Sequence, residues 1–151
     1  MPDVVTPEVR SRMMAGIRGK NTKPEMFLRS RIHAAGLRFR IHDRSLPGNP
    51  DMVFKGKNAV LFFHGCFWHG HDCTLFKWPG TRPEFWRLKI ERNRQNDIRA
   101  MKALNEAGWR HGVVWECALR GPGRLNDGLV ISKCISWLNS KRKTFELRGK
   151  T

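Results

Sequence analysis

Ten consecutive residues, from His64 to Cys73, most constrain how this chain can fold. The stretch HGCFWHGHDC contains three histidines and two cysteines around an adjacent Phe-Trp pair. Thiolate and imidazole are the ligands that zinc prefers at closed tetrahedral sites. We therefore expect a loop held by a metal here, and the other groups that the loop needs must come from elsewhere in the chain.

Part of this stretch has a spacing typical of metal ligands, Cys-x4-His-x-Cys, formed by Cys66, His71 and Cys73. A tetrahedral structural site needs a fourth ligand. Cys117 is the best candidate because it lies just past the end of a predicted core strand. Cys134 lies on an apolar helix face, where a free thiol behaves as a small hydrophobe. Two alternatives stay open: His69 could bind in place of His71, or all four cysteines could be unligated core residues.

The charge of the chain indicates a polyanionic partner. It has 29 Lys and Arg against 13 Asp and Glu, a formal net charge of +16 spread along almost all of its 151 residues. This balance is typical of nucleic-acid binders, and the length suits one domain with its own core. A membrane-surface protein, or charge that serves only solubility, fits less well. No apolar run approaches the roughly 20 residues needed to span a bilayer, and the start lacks the apolar core of a secretory signal, so a reducing cytoplasm is expected.

Hydrophobic periodicity predicts an α/β fold with a mixed central sheet flanked by helices. Thr22 and Glu25 form a capping-box pattern that opens a helix ending at Gly36. The other predicted elements are a short basic helix after Thr6, strands over 37–41, 52–54, 59–63 and 112–115, and helices over 83–107 and 129–138. The polar centre of the 83–107 region leaves one long helix or two helices with a break near Asn93 as alternatives.

The predicted organisation has three parts. Residues 1–20 form a basic helical arm that contacts DNA and could become ordered on binding. Residues 21–140 form the single folded domain. The basic end, residues 141–151, is predicted to be a frayed tail.

A candidate acidic site lies beside the metal-rich stretch. Asp51 follows Pro50 at a strand start, which resembles the Pro-Asp half of the restriction-endonuclease active-site pattern. The second half, an acidic residue followed by x-Lys, is absent, because Phe62, Phe63 and His64 occupy its place. Magnesium requires oxygen ligands, so Asp51 would need help from a main-chain carbonyl near Phe63, from water and from a substrate phosphate. A turn carboxylate is the alternative for Asp51.

Two histidines and three aromatic residues complete the candidate site. If His71 binds the metal, His64 and His69 remain available for proton transfer near neutral pH. Phe67 and Trp68 are adjacent in a loop, so we do not expect the two side chains to point inward together. Exposed aromatic rings on a cationic protein favour stacking on bases or insertion between them, and Trp86 is a further candidate with a core position as its alternative.

Five segments, in order, resemble the very short patch repair (Vsr) endonucleases, which nick mismatched DNA. They are NTKPE, LPGNPDMVF, FHGCFWHGHDC, FWRLKIERN and GWRHGVVWECAL. The resemblance extends from about Asn21 to Leu119, and the HGCFWHGHDC and VVWEC segments are highly specific. It implies a restriction-endonuclease-like domain with a structural zinc. It also implies Mg²⁺-dependent nicking 5′ to the thymine of a T:G mispair left by deamination of 5-methylcytosine.

The resemblance also implies roles for individual residues. Asp51 matches the magnesium-binding carboxylate with the Phe63 carbonyl beside it, His69 the catalytic histidine, His64 a supporting histidine and Glu25 an acidic residue near the site. The residues that match zinc ligands are Cys66, His71, Cys73 and Cys117. The expected DNA contacts are Phe67, Trp68, Trp86, Arg18, Lys20, Lys89 and Asn93. The expected protein is a monomer that acts on duplex DNA, with mismatch-repair accessory proteins as possible partners.

Two positions depart from the family pattern: Phe63 stands where a threonine can occur, and Asn96 where an arginine is common. Two rival functions also remain. One is a non-catalytic, zinc-stapled DNA-binding module, favoured by the missing acidic-x-Lys half. The other is a related nicking nuclease with a different target.

Overall fold

The computed structural model describes residues 22–150, and within them the fold is α/β. In chain order its elements are α1 (Lys23–Ala34), β1 (Met52–Phe54), β2 (Ala59–His64), α2 (Pro83–Glu106), β3 (Arg110–Trp115), α3 (Asp127–Leu138) and β4 (Thr144–Leu147). Single 3₁₀ turns over Lys55–Lys57 and Glu116–Ala118 follow β1 and β3. The predicted basic helix after Thr6 lies outside the described residues.

The four strands form one sheet in the order β1-β2-β3-β4. The sequence predicted a mixed sheet but neither this order nor β4. β1 and β2 are an antiparallel hairpin, while β2, β3 and β4 run parallel to one another. The register pairs His64 with Trp115, so β2 and β3 end at the same edge of the sheet. The loops that leave these two strands therefore start side by side.

Helices cover both faces of the sheet. On one face, α1 and α3 bury a core that contains Leu28, Leu61 and Trp137. On the other face, α2 packs through Leu104 against Val60 and neighbouring strand residues. Because β2 contributes side chains to both cores, its nearly continuous apolar sequence correctly predicted a central strand.

The helices were predicted well, but one of their caps was not. α1 begins after Thr22 as expected, yet the Thr22 side chain makes no capping hydrogen bond. Glu25 is buried and pairs with Arg29 one turn further along, so the predicted capping box is absent. The polar centre of α2 is continuous helix, which decides between the two alternatives left open for this region.

Two predictions about irregular segments were wrong. The expected strand over 37–41 is reduced to a single bridge between Arg40 and Val53. The alternating pattern of this segment reflects the burial of its apolar side chains and not strand pairing. Leu37 and Phe39 pack against the core without further pairing. The end of the chain, expected to fray, contains β4, which pairs with β3 and packs the Phe145 ring on Trp137 at a centroid distance of 5.3 Å.

Candidate active site and metal-binding cluster

A four-residue cluster of thiols and imidazole forms where β2 and β3 end. The ligand atoms of Cys66, His71, Cys73 and Cys117 all lie within 4.8 Å of one another. The Nδ1 atom of His71 is 3.5 Å from the Sγ atom of Cys66 and 3.6 Å from that of Cys117. A tetrahedral zinc ion with ordinary bond lengths places nitrogen and sulfur ligands about 3.6 Å apart. The cluster therefore fits a zinc-sized ion of this coordination.

The sheet itself brings the two core cysteines together. Cys66 lies two residues beyond His64 and Cys117 two residues beyond Trp115, and His64 and Trp115 are register partners. The Cys117 amide donates a hydrogen bond to the Sγ atom of Cys66, with the two atoms 3.3 Å apart. Burial raises the pKa of both thiols. A bound cation would offset that penalty by stabilising the thiolates.

The loop turns back to His71 through a left-handed residue. Gly70 has φ of +60°, and a Cβ atom there would lie 2.5 Å from the Cγ2 atom of Ile90 on α2. Glycine is thus required both by the backbone conformation and by the close approach of α2. The His71 ring then stacks on Trp115 with ring centroids 3.9 Å apart. His71, and not His69, is the histidine that joins the cysteines.

His69 instead belongs to a second group that faces α2. Its Nδ1 atom lies 2.5 Å from the Oδ2 atom of Asp97. The ring stacks on that of His64, with centroids 3.8 Å apart and planes 6° from parallel. Burial holds the pKa of His64 well below its ordinary value, and nearby His69 and His71 lower it further. His64 is therefore a neutral imidazole that supports the face of the His69 ring.

An acidic pair lies at the start of β1. The Oδ2 atom of Asp51 accepts a hydrogen bond of 2.6 Å from the Phe63 amide. Burial raises the pKa of Asp51 to about 7, and the neighbouring Glu25 carboxylate contributes to the increase. Arg29, which pairs with Glu25, opposes this increase. A half-buried carboxylate with a raised pKa, next to the buried Glu25 side chain, forms a site where a cation would be stabilised.

The Phe63 amide connects the acidic pair to the imidazoles. Asp51 is bonded to Phe63, and the next residue along β2 is His64. Asp51, Glu25, His64 and His69 therefore lie at the same end of the β1-β2 hairpin. The structure also adds two polar residues that sequence reasoning missed, Asp97 and Arg29. Nothing in the spacing of the chain pairs Asp97 with His69, and the capping-box pattern concealed Arg29 as a partner of Glu25.

The predicted aromatic residues form a cluster next to these groups. Phe67, Trp68 and Trp86 contact one another, with ring centroids 5.1 to 5.7 Å apart. All three rings are half-buried. Phe67 and Trp68 are therefore both partly exposed to solvent, and neither is fully inside the core. Together with Phe63 and Arg120, they line an open cavity of about 630 Å³.

Of the other predicted DNA contacts, Asn93 and Lys89 lie beside the aromatic cluster and His69, respectively. The Asn93 side chain donates a hydrogen bond of 2.8 Å to the main-chain oxygen of Trp68. Lys89 lines a cavity of about 300 Å³ that also contains His69 and Asp97. Arg18 and Lys20 lie outside the described residues. Among residues 22–150, no helix has the length and apolar character required to cross a bilayer.

A basic α/β domain that gathers an acidic pair, an imidazole-carboxylate pair and a Cys/His cluster that fits a metal ion at the end of its strands has the features of a nuclease. Comparison with known proteins agrees. The family model "DNA mismatch endonuclease Vsr" matches residues 2–75. The chain belongs to this Vsr family of DNA endonucleases.

The similar proteins support the family assignment across most of the chain. The Escherichia coli "DNA mismatch endonuclease Vsr" is 46% identical over 138 residues, which cover 91% of this chain and 88% of that protein. The Xanthomonas oryzae "Type II nicking enzyme V.XorIIP" is 49% identical over 129 residues, which cover 85% and 95% of the two chains. The Neisseria meningitidis "Type II nicking enzyme V.NmeAIP" is 39% identical over 120 residues, or 80% and 86%. The protein is therefore an endonuclease of a family whose members nick DNA.

Proposed function

We propose that this endonuclease nicks one strand of duplex DNA 5′ to the thymine of a T:G mispair, the product of 5-methylcytosine deamination, and so starts very short patch repair. The observation that carries the proposal is that two pairs, His69 with Asp97 and Asp51 with Glu25, lie at the same end of the β1-β2 hairpin. The name of the Escherichia coli relative supports a mismatch as the substrate, and the names of the other two support nicking.

The acidic pair is the proposed magnesium site. Asp51 and Glu25 would hold the ion together with the main-chain carbonyl of Phe63, because magnesium prefers hard oxygen ligands. When bound there, magnesium supplies charge stabilisation for the phosphate and favours ionised water. The raised pKa of Asp51 supports the assignment, since a cation beside the carboxylate would stabilise its charged form. The Phe63 side chain is no obstacle, because the proposed contact uses the main chain.

The pair formed by His69 and Asp97 is the proposed proton-transfer group. With Asp97 accepting from Nδ1 of His69, the Nε2 atom of that ring carries the lone pair and can accept a proton from water or later return one. Asp97 fixes this tautomer and stabilises the imidazolium that forms. The neutral ring of His64, stacked against His69, keeps the ring in place without adding positive charge.

The thiol cluster is the proposed zinc site. Its four ligands would fill a tetrahedral coordination shell, which leaves no open position for substrate and makes the ion structural. Zinc bound there would hold the loop that carries His69, between Cys66 and His71, in one conformation. Stability and catalysis therefore depend on two different metals at two different sites.

Duplex DNA would meet the aromatic cluster beside this site. Phe67, Trp68 and Trp86 would wedge next to the mispair, where unstacking costs least, and Lys89 would contact the backbone or a base. The basic arm, including Arg18 and Lys20, would add phosphate contacts on a restriction-endonuclease-like domain that acts as a monomer. Asn93 would act through its bond to Trp68, by holding the wedge. Mismatch-repair proteins remain the proposed accessory partners.

One assay tests the function. The protein is incubated with magnesium and labelled duplexes that differ only in a T:G or T:A pair. We expect nicking of the T:G strand alone, lost in Asp51→Ala while DNA binding is retained. Binding without nicking would identify a non-catalytic DNA-binding module, and equal nicking of the paired duplex would identify a nuclease with another target.

A further inference from the structure

The aromatic cluster extends beyond the three residues assigned to the wedge. The Phe76 ring lies 5.9 Å from Phe67 and 4.9 Å from Trp78, measured between centroids. At the other end, the Phe85 ring lies 5.2 Å from Trp86. Trp78 is 54% exposed and Phe85 44% exposed. The outermost rings of the cluster are therefore the ones most open to solvent.

Positive charge accompanies these exposed rings. The Arg82 guanidinium lies over Phe85, 4.3 Å from the ring centroid. Lys77, next to Trp78, is also exposed. Neither cation has an ion-pair partner among residues 22–150. An aromatic surface that is bordered by available cations complements a nucleic-acid strand, whose bases and sugars pack on rings and whose phosphates attract the charge.

We propose that Trp78, Arg82 and Phe85 form a second DNA contact, which binds the duplex on one side of the mispair. This inference rests on the proposed mismatch-directed function. Trp78 is two ring contacts away from Phe67, with centroid separations of 5.9 and 4.9 Å, so it lies within about three base-pair steps of the wedge at 3.4 Å each. The second contact thus gives affinity for flanking duplex, and it acts on binding and not on the chemical step.

A truncation series tests this contact. T:G duplexes are shortened one base pair at a time from either end, and their dissociation constants are measured. For the unaltered protein, we expect a stepwise loss of affinity when one arm becomes shorter than about three base pairs. For Trp78→Ala we expect about tenfold weaker binding to the long duplex, at the lower end of the range for one aromatic contact to nucleic acid. Shortening that arm should then cause no further loss of affinity in this variant.

Two variants serve as controls. Trp78→Phe keeps a ring and should restore most of the affinity. Leu129→Ala removes a comparably exposed apolar side chain, 43% exposed on α3, and should bind like the unaltered protein. Equal binding of Trp78→Ala and the unaltered protein to all duplexes would overturn the second contact. Absence of mismatch-dependent nicking by the unaltered protein would instead overturn the proposed function.

A separate observation concerns the residues that follow β4. Arg148 donates two hydrogen bonds to Asp72, one of 2.9 Å to Oδ1 and one of 2.7 Å to the main-chain oxygen. The Gly149 amide donates to the Sγ atom of Cys117 at 3.3 Å. Asp72 lies between two members of the thiol cluster, and Cys117 is a third. Residues 148 and 149 therefore contact both chain segments that form the cluster: the loop around Asp72 and the turn that contains Cys117.

This contact is so close that it excludes side chains. A Cβ atom on Gly149 would lie 2.2 Å from the main-chain oxygen of Cys117. A Cβ atom on Gly123 would lie 2.3 Å from the main-chain oxygen of Lys150, whose amide donates a 2.7 Å bond to Gly123. Backbone therefore packs on backbone here, next to the buried Cys117.

We infer that residues 148–150 are a clasp that closes the metal cluster and slows loss of its ion. This second inference rests on the proposed zinc site. The amide that points at Cys117 favours the thiolate, and the paired bonds from Arg148 hold the Asp72 segment against it. The end of the chain is thus a positioning element for the metal loop.

Zinc release tests the clasp. Zinc-loaded protein is mixed with excess chromogenic chelator, and the rate of metal transfer is recorded. We expect about fivefold faster release for Arg148→Ala, which loses two hydrogen bonds, and a smaller increase for Asp72→Ala, which keeps the bond to the main chain. Arg148→Lys, which cannot donate in the same bidentate way, should fall between the unaltered protein and Arg148→Ala.

Controls separate the clasp from general stability. Arg87→Ala removes another surface arginine that pairs with a carboxylate, Glu84, and should release zinc at the unaltered rate. With cobalt in place of zinc, Gly149→Ala should shift the thiolate charge-transfer band, because it displaces the amide from Cys117. Unchanged release rates and an unchanged cobalt spectrum would overturn the clasp. Absence of zinc from the unaltered protein would overturn the zinc site itself.

Discussion

Asp97 holds the Nδ1 atom of His69 at 2.5 Å, across 28 residues of chain. The two residues come from different elements: His69 from the loop after β2, and Asp97 from the middle of α2. Ile90 and Arg94, on the same helix, contact Gly70 in that loop, so the helix positions the histidine as well as orienting its ring. The polar centre of α2 is therefore part of the candidate active site and not only a solvated helix face.

Removing Asp97 should weaken catalysis without weakening binding. Asp97→Ala leaves His69 without its orienting partner, and we expect single-turnover nicking of T:G duplex to slow by about 10²-fold, within the range attributed to a positioned acid or base. The loss should not add to that of His69→Ala in the double variant, because the two residues act as one unit. Full nicking by Asp97→Ala, or fully additive losses, would contradict this pairing.

The raised pKa of Asp51 should appear in the pH dependence of stability. A carboxyl with a pKa of about 7 in the fold and 3.8 when exposed binds more protons folded than unfolded between these values. Its contribution to the free energy of unfolding is therefore fully present below pH 4 and is lost as pH rises to about 7. Asp51→Asn lacks this titration.

The measurement compares the two proteins, because His64 contributes a trend of opposite sign. Urea unfolding in magnesium-free buffer gives the difference between unaltered protein and Asp51→Asn at each pH. We expect that difference to shift in favour of the Asn variant from pH 4 to pH 7 and to level off above. A constant difference across this range would show that Asp51 titrates normally.

Two buried cysteines provide a matched test of the metal cluster. Cys117 lies in the cluster, whereas Cys134 is buried on α3, where burial raises its pKa to about 12. Cys117→Ser should not retain bound zinc. A chelator should lower the melting temperature of the unaltered protein but leave that of Cys117→Ser unchanged. Cys134→Ser should keep both responses. Equal zinc content in the two variants would exclude Cys117 as a ligand.

The sequence predicted local features well and long-range partners poorly. The spacing of Cys66, His71 and Cys73 is local, and Cys117 could be added because it lies just past the end of a predicted core strand. The structure shows that this strand runs parallel to β2, so both strands end at the same edge. Asp97 could not be found in this way, because a polar residue within a helix gives no sign of which loop it faces. At the end of the chain, the charge of Lys141 to Lys143 concealed the alternation of Phe145 and Leu147, which is an ordinary strand pattern.

Gly70 should be the most sensitive glycine in the metal loop. Gly70→Ala places a side chain at φ of +60° and 2.5 Å from the buried Ile90. Left-handed backbone costs about 1 kcal/mol, and overpacking against a buried side chain adds about 1 to 3 kcal/mol. Gly36→Ala isolates the first effect, since Gly36 has φ of +95° and no atom near its Cβ position, and Gly80→Ala lacks both effects.

Urea unfolding of the three variants should therefore rank them by free energy of unfolding, with Gly80→Ala highest, Gly36→Ala about 1 kcal/mol lower and Gly70→Ala lowest. Nicking separates them further, because Gly70 lies between His69 and His71. A shift of this residue moves both histidines, so Gly70→Ala should lose zinc and nick slowly even where it remains folded. Gly36→Ala should nick at the unaltered rate. If Gly70→Ala matches Gly36→Ala in stability and nicking, the loop is not held against α2 as the structure describes.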